Sequence, residues 1–422
     1  MLKVENKKSY PWLVVGMLWV VALLNYLDRQ MLSTMRPFMQ VDISELVSAT
    51  NFGRLMAIFL WIYALMSPLS GMIADRLNRK KLIVVSLFVW SGVTLMMGYA
   101  QNMDQLYILR AVMGVSESFY VPAALSLIAD YHQGKTRSLA IGFHTSGIYL
   151  GQAFGGFGAT LAASTSWQFT FHIFGIIGMC YSLILILFLK EKKTYTTDSG
   201  TEKRTLKEEL SMAFKGLGIL FSNIAFWVIL FYFSAPSLPG WATKNWLPTL
   251  FSESLNMDME HAGPLSTMTM ALASLVGVLL GGYVSDRWVS KKLKGRIYTG
   301  VIGLACTLPA LFLIGYGSGL IQIVTGAILF GLGFGIFDVN NMPILCQFVP
   351  SRYRATGYGL MNLAGISAGA IITNELGKAL DAGYMNTVFA VMIGAVALAI
   401  VFQLLVLKPK TIDMTDELLS QK

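Results

Sequence analysis

The 422-residue sequence is poor in charge. Asp, Glu, Lys and Arg make up 13% of it, where a water-soluble domain carries about 25%. Hydrophobic residues make up 55% and the mean hydropathy is +0.60, so lipid rather than water is the solvent this chain is built for. Cysteine is scarce too. Cys180, Cys306 and Cys346 stand singly inside apolar stretches, an odd and scattered set that excludes a disulfide framework and a cysteine metal cluster. The four histidines, His132, His144, His172 and His261, are equally dispersed. There is no H-E-x-x-H and no phosphate-cradling G-x-x-x-x-G-K-[ST]. These absences lead us to expect neither an enzyme nor a bound cofactor or metal. They also point to work driven by gradients rather than by nucleotide hydrolysis. The net charge of +9 does not indicate nucleic acid, because the cations sit in short loops between apolar runs and form no basic face.

What the chain does contain is a repeat. Gly71-Met72-Ile73-Ala74-Asp75-Arg76-Leu77-Asn78-Arg79-Lys80-Lys81 and Gly282-Tyr283-Val284-Ser285-Asp286-Arg287-Trp288-Val289-Ser290-Lys291-Lys292 share the pattern G-x-x-x-D-R-x-x-x-K-K. Each closes a long apolar run, and they stand about half a chain apart. A charged loop recurring in both halves of a hydrophobic protein predicts two similar membrane bundles joined head to tail, as in repeat-built secondary transporters.

A membrane-spanning helix needs about 20 predominantly apolar residues. Twelve stretches qualify, approximately 11–34, 53–74, 81–101, 104–130, 137–162, 167–189, 219–250, 264–286, 296–317, 319–347, 354–380 and 384–407. The first follows Lys3, Lys7 and Lys8 but has no small-residue cleavage site after it, and Asp28-Arg29 interrupts it, so it reads as a retained helix. The expected fold is all-α, with twelve transmembrane helices in two six-helix bundles, 1–189 and 218–422. A polar linker over 190–217 joins them, with a possible amphipathic helix at Leu206–Phe214. Lys and Arg cluster at the termini and in the loops between even and odd helices, whereas the opposite loops are nearly bare or acidic (Glu253, Asp258, Glu260). That asymmetry places both termini in the cytoplasm. The compact loops and tails point to a bacterial inner membrane and to a monomer, and offer little docking surface for a non-transporting solute sensor. Gly147-x3-Gly151-x3-Gly155 and Gly331-x-Gly333-x-Gly335 allow close backbone approach. Pro236, Pro239 and Pro248 should kink the seventh helix, which membranes tolerate where a helix lines a cavity.

A charge in mid-membrane costs about 2.5–3.5 kcal/mol on insertion scales and needs a partner or a task. Asn25, Asp28, Arg29 and Gln30 lie in helix one, Arg110 and Glu117 in helix four, Lys244 and Asn245 in helix seven, and Asp338, Asn340 and Asn341 in helix ten. Arg110 and Glu117, seven apart, share one helix face. A carboxyl whose arginine can be borrowed by an anionic solute changes its hold on a proton when the solute arrives, which is the chemistry of proton-coupled anion movement. Tyr149 and Gln152 could hydrogen-bond a polar solute. His144 and the Trp61/Tyr63 pair fit packing better. Glu117 stands five before Pro122 and Gly114 three before; Asp338 stands five before Pro343 and Gly335 three before. Helices four and ten are therefore counterparts.

The Gly71–Lys80 loop resembles the signature loop of the major facilitator superfamily. The resemblance implies a gating role for Asp75, Arg76, Arg79, Asp286 and Arg287. Asn25-Tyr26-Leu27-Asp28-Arg29, the Arg110/Glu117 spacing and Asn245-Trp246-Leu247-Pro248 are similar to motifs of the anion:cation symporters of sialin and hexuronate type. By that likeness Arg29 meets the substrate carboxylate, and Asp28 and Glu117 take part in proton coupling, with Arg110 as a charge partner. Tyr149, Gln152, Lys244, Asn245 and Asn341 complete the expected substrate site. The implied cargo is a small organic anion such as a sugar acid, moved together with protons by alternating access. Gly114–Tyr120 followed by Leu127–Asp130 is also similar to Spinster-type carriers, which implies lysolipid or another amphiphile as the alternative cargo.

Overall fold

The computed structural model describes residues 9–132, 136–192, 216–350 and 353–414, with the side chains of Met72, Asp75, Arg76 and Ala355 excepted. The amphipathic helix expected at 206–214 lies outside the described residues. The first half of the chain forms α1 (Tyr10–Met39), α2 (Ala49–Arg76), α3 (Arg79–Met97), α4 (Met103–Ser118), α5 (Tyr120–Tyr131), α6 (Arg137–Gly155), α7 (Gly158–Ser164) and α8 (Trp167–Phe188). The second half forms α9 (Ile224–Leu255), α10 (Met259–Val289), α11 (Gly295–Tyr316), α12 (Leu320–Asp338), α13 (Asn341–Phe348), α14 (Arg354–Ala382) and α15 (Met385–Val406).

The helix starts follow local chemistry. The side chains of Ser48, Asn78, Asn102, Ser166 and Asn223 accept hydrogen bonds from the first-turn amides of α2, α3, α4, α8 and α9, which satisfies donors that a helix leaves unpaired. Among the described residues, ten helical stretches are long and apolar enough to cross a membrane, counting α4 with α5 and α12 with α13 as one stretch each. Helix α14 and the pair α6/α7 fall short on hydropathy. Asn362, Asn374, Glu375, Lys378 and Asp381 account for this in α14, and Ser138, His144, Thr145, Ser146 and Gln152 account for it in α6.

The glycine stripe of α6 lies against α1. A Cβ on Gly147 would stand 2.7 Å from the Trp19 carbonyl, and one on Gly151 would fall on that of Leu23. On α12, a Cβ on Gly331 would stand 2.5 Å from the Met270 carbonyl and one on Gly333 2.5 Å from that of Gly303. Small residues thus set the helix spacing in both halves, as expected where lipid gives helices no hydrophobic reason to associate. The halves meet along α2 with α14 and along α6/α7 with α10. Among the described residues, the hydrogen bonds between halves lie at one end of the bundle or at its middle. Asp381 accepts from Ser48 Oγ (2.7 Å) and from the amides of Ala49 and Thr50 (2.9 Å each). Thr160 donates to the Glu260 carbonyl (2.8 Å), Thr267 to that of Ala153 (3.0 Å) and Gln30 to that of Lys244 (2.8 Å). The Gly156 and Gly263 backbones touch at the same closed end.

Candidate functional site

Three stretches that read as unbroken in the sequence are broken in the fold, and two of the breaks carry an acid. Pro122 has no N–H for the Ser118 carbonyl, and its ring crowds that carbonyl, so α4 ends at Ser118 and α5 restarts at Tyr120. Pro343 does the same to Val339, ending α12 at Asp338 and restarting the chain as α13 at Asn341. The five-residue spacing between acid and proline therefore sets Glu117 and Asp338 in the last turn before a discontinuity. The third break, at Gly156, falls where α6 meets α10.

Glu117 is fully buried and accepts from Arg29 Nε at 2.5 Å. The Arg29 guanidinium lies 4.8 Å from each of the ring centroids of Tyr26, Phe59 and Tyr63, so three aromatic faces hold it. Arg110 stacks on the same Phe59 at 4.5 Å and points to the Met113 sulfur at 3.1 Å. Asp28 does not pair with its neighbour Arg29. It turns toward α3, where Thr94 donates to it at 3.3 Å. Arg29 Nη2, Asp28 Oδ1 and Arg110 Nε are buried and unpartnered, and the buried Asn25 side chain reaches only Glu117. Buried polar atoms are normally satisfied, so this cluster has spare capacity for water, solute or proton.

The second half answers with Lys244 and Asp338. Lys244 is partly accessible on α9, with its Nζ 5.0 Å from the Trp241 ring centroid and 5.5 Å from that of Phe334. Asp338 accepts from Asn341 Nδ2 at 3.1 Å and interacts with Tyr149 of the first half. Protein surrounds Asp338, yet it remains open to water, the position of a side chain on a cleft wall. The Gln30–Lys244 hydrogen bond fixes Arg29 and Lys244 at the same level on opposite sides of the interface.

The structure therefore gathers Asp28, Arg29, Arg110, Glu117, Tyr149, Lys244 and Asn341 around the middle of the bundle. Gln152 is buried beside a narrow void shared with Gln30, Thr243 and Lys244. Asn245 turns away, donating to Thr373 Oγ1 at 2.8 Å within its own half. Tyr26, Phe59 and Phe334 join the site without being among the expected site residues, and Tyr63, expected to pack, faces Arg29. Tyr26 was findable, since it lies three residues before Arg29 and so shares its helix face. Phe59 and Tyr63 come from another helix, and no spacing within α1 points to them. His144 is buried against the Tyr120 hydroxyl at 2.9 Å, which is packing. Gly365-Ile366-Ser367-Ala368-Gly369 fits the hydrolase pattern G-x-S-x-G, but it lies inside α14, where Gly365 meets Phe233 and Gly369 meets Trp241. It is not the strand-to-helix turn that such a nucleophile needs.

Of the gating residues, the Asp75 and Arg76 side chains lie outside those described. Arg79 pairs with Asp130 of α5. Asp286 stands 4.0 Å from Arg296, and Arg287 lies over Tyr283 at 4.4 Å. All three contacts stay within one half of the chain.

The sequence of residues 18–374 matches the Major Facilitator Superfamily. The chain belongs to that superfamily. It is thus an integral membrane transporter of all-helical fold. It is similar to the hexuronate transporter of Bacillus subtilis, 28% identical over 76% of this chain and 75% of the relative. It is also similar to the D-galactonate transporter of Escherichia coli, 26% identical over 92% and 93%. Among solved structures, it superposes on a bacterial homologue of the human lysosomal transporter Spinster, crystallised inward-facing and unoccupied, with a TM-score of 0.75 and 20% identity over 95% of this chain and 97% of the other. At that identity the likeness is one of fold.

Proposed function

We propose that this transporter carries a small organic anion of sugar-acid type together with protons, and that it does so as a monomer of twelve spans. The two six-helix bundles, 1–189 and 218–422, would rock about a central site, with both termini cytoplasmic in a bacterial inner membrane. The Arg29–Glu117 pair supports this reading best. A carboxylate in an apolar site keeps its charge only while a cation stays beside it. A substrate carboxylate that engages Arg29 competes with Glu117 for the guanidinium, and Glu117 then takes a proton. Substrate and proton thereby load together. Asp28, next in the chain to Arg29 and without an ion-pair partner among the described residues, is the second proton carrier. The relatives named for hexuronate and D-galactonate agree with a sugar-acid cargo.

The test uses purified full-length protein in vesicles. Glu117→Gln should abolish accumulation driven by an inward proton gradient and leave exchange of labelled sugar acid across the membrane partly intact. Concentrative uptake by Glu117→Gln would refute the coupling role. Arg29→Ala removes a charged hydrogen bond to the substrate, about 1.5–3 kcal/mol, so affinity should fall about 10- to 100-fold. Binding of lysolipid with no binding of any sugar acid would replace the cargo.

A further inference from the structure

From the second half of the chain we infer a second anion-binding point, at Lys244, and with it a cargo bearing two anionic groups. The inference rests on the central site proposed above and narrows its substrate class. Arg29 is engaged by Glu117, but among the described residues no acid is in contact with Lys244. Among the described residues its ammonium makes no hydrogen bond and no direct ion pair. Two aromatic faces hold it, those of Trp241 and Phe334. Asp338 lies one turn beyond Phe334, within electrostatic reach of the ammonium but not in contact with it, and is itself held by Asn341. A lysine kept off its nearest carboxylate, partly accessible and braced by rings, leaves its N–H donors free for an incoming acceptor.

The location decides what that acceptor is. Gln30, next to Arg29, donates to the backbone carbonyl of Lys244, and the Arg29 charge acts on the Lys244 ammonium, so the two cations stand near each other across the interface between the halves. Tyr26, which stacks on Arg29, and Tyr149 both lie within reach of Asp338. The buried oxygen of Asn341 is unpartnered and adds an acceptor for a hydroxyl. A solute with a carboxylate at one end only would leave Lys244 unanswered. A dicarboxylate, or another acid with an anionic group at each end, would fill both points and tie the two halves together when bound.

The experiment compares matched pairs that differ in one terminal group, an aldarate against the aldonate of the same carbon chain and succinate against butyrate. Each competes for labelled sugar-acid binding to the full-length protein in vesicles. At least one dicarboxylate should compete about tenfold or more better than its monocarboxylate partner. Lys244→Gln should abolish that preference by weakening the dicarboxylate about tenfold more than its monocarboxylate partner. Lys244→Arg should retain it. Equal competition by mono- and dicarboxylates in the unaltered protein would overturn this inference and leave the sugar-acid reading standing. So would equal weakening of both by Lys244→Gln in protein that elutes and melts normally. Failure of every carboxylate to bind would overturn the sugar-acid reading and this inference with it.

Discussion

Phe59 is the residue on which the centre of the first half turns, because two guanidiniums use it. Arg29 and Arg110 stack on this one ring at 4.8 and 4.5 Å, and two like charges so placed repel unless something screens them. The ring's negative faces and Glu117 supply that screening. Each cation–π contact contributes about 0.5–2 kcal/mol. Phe59→Leu keeps the bulk and removes the π face, so substrate affinity should fall roughly 5- to 30-fold with little loss of folded protein. Titration calorimetry beside a thermal melt checks this, and unchanged affinity would reduce Phe59 to packing. Asp28 makes a separate prediction. Thr94 can donate to an amide oxygen as well as to a carboxylate, so Asp28→Asn preserves the contact with α3 and removes only the titrating group. Proton-driven accumulation should then be lost while substrate exchange persists, as read by counterflow of labelled solute.

At the scale of elements, what could be read from the sequence and what could not divide along a physical line. The polar residues held in apolar runs were legible because their cost in lipid does not depend on the fold. The correspondence of helices four and ten was legible because acid and proline keep the same five-residue spacing. The breaks at Phe119 and Val339 were not, since a proline in a membrane helix can also merely kink it, and the surroundings choose between these outcomes. The partner of Arg29 was not legible either. Asp28, Glu117 and Asp338 were all available to it, and only the packing of α1 against α2 and α4 selects Glu117. The glycine stripe of α6 lies between. Its spacing announced close approach, but not that α1 was the helix approached. Gly151 tests that contact, for a side chain there would collide with the Leu23 backbone and push α1 outward with Arg29 on it. Gly151→Val should lower the melting temperature and weaken substrate binding together. An exposed α6 position such as Gly142, which has open space around its Cα, should accept the same change without either effect.

For the whole molecule, alternating access requires that the contacts sealing one end be firm enough to hold and weak enough to release. The Asp381 carboxylate meets this requirement at the closed end. It belongs to α14 of the second half but caps α2 of the first, taking the Ser48 hydroxyl and two free amides where the helix dipole favours a negative charge. Since Asp381 is exposed, water screens the interaction, and the latch is worth roughly 1 kcal/mol rather than several. Below it, Gly156 and Gly263 bring their backbones together, and the Thr160–Glu260 and Thr267–Ala153 hydrogen bonds flank that contact. Asp381→Ala should therefore shift the ratio of open to closed at this end about fivefold toward open, without touching the central site. A single cysteine placed at Ser266, buried and bonded only within its own half, in protein with Cys180, Cys306 and Cys346 replaced, reports the shift as faster labelling by a membrane-impermeant maleimide. Unchanged labelling would transfer the sealing role to the glycine contact, where Gly156→Leu, which cannot fit against Thr267, should force the same end open.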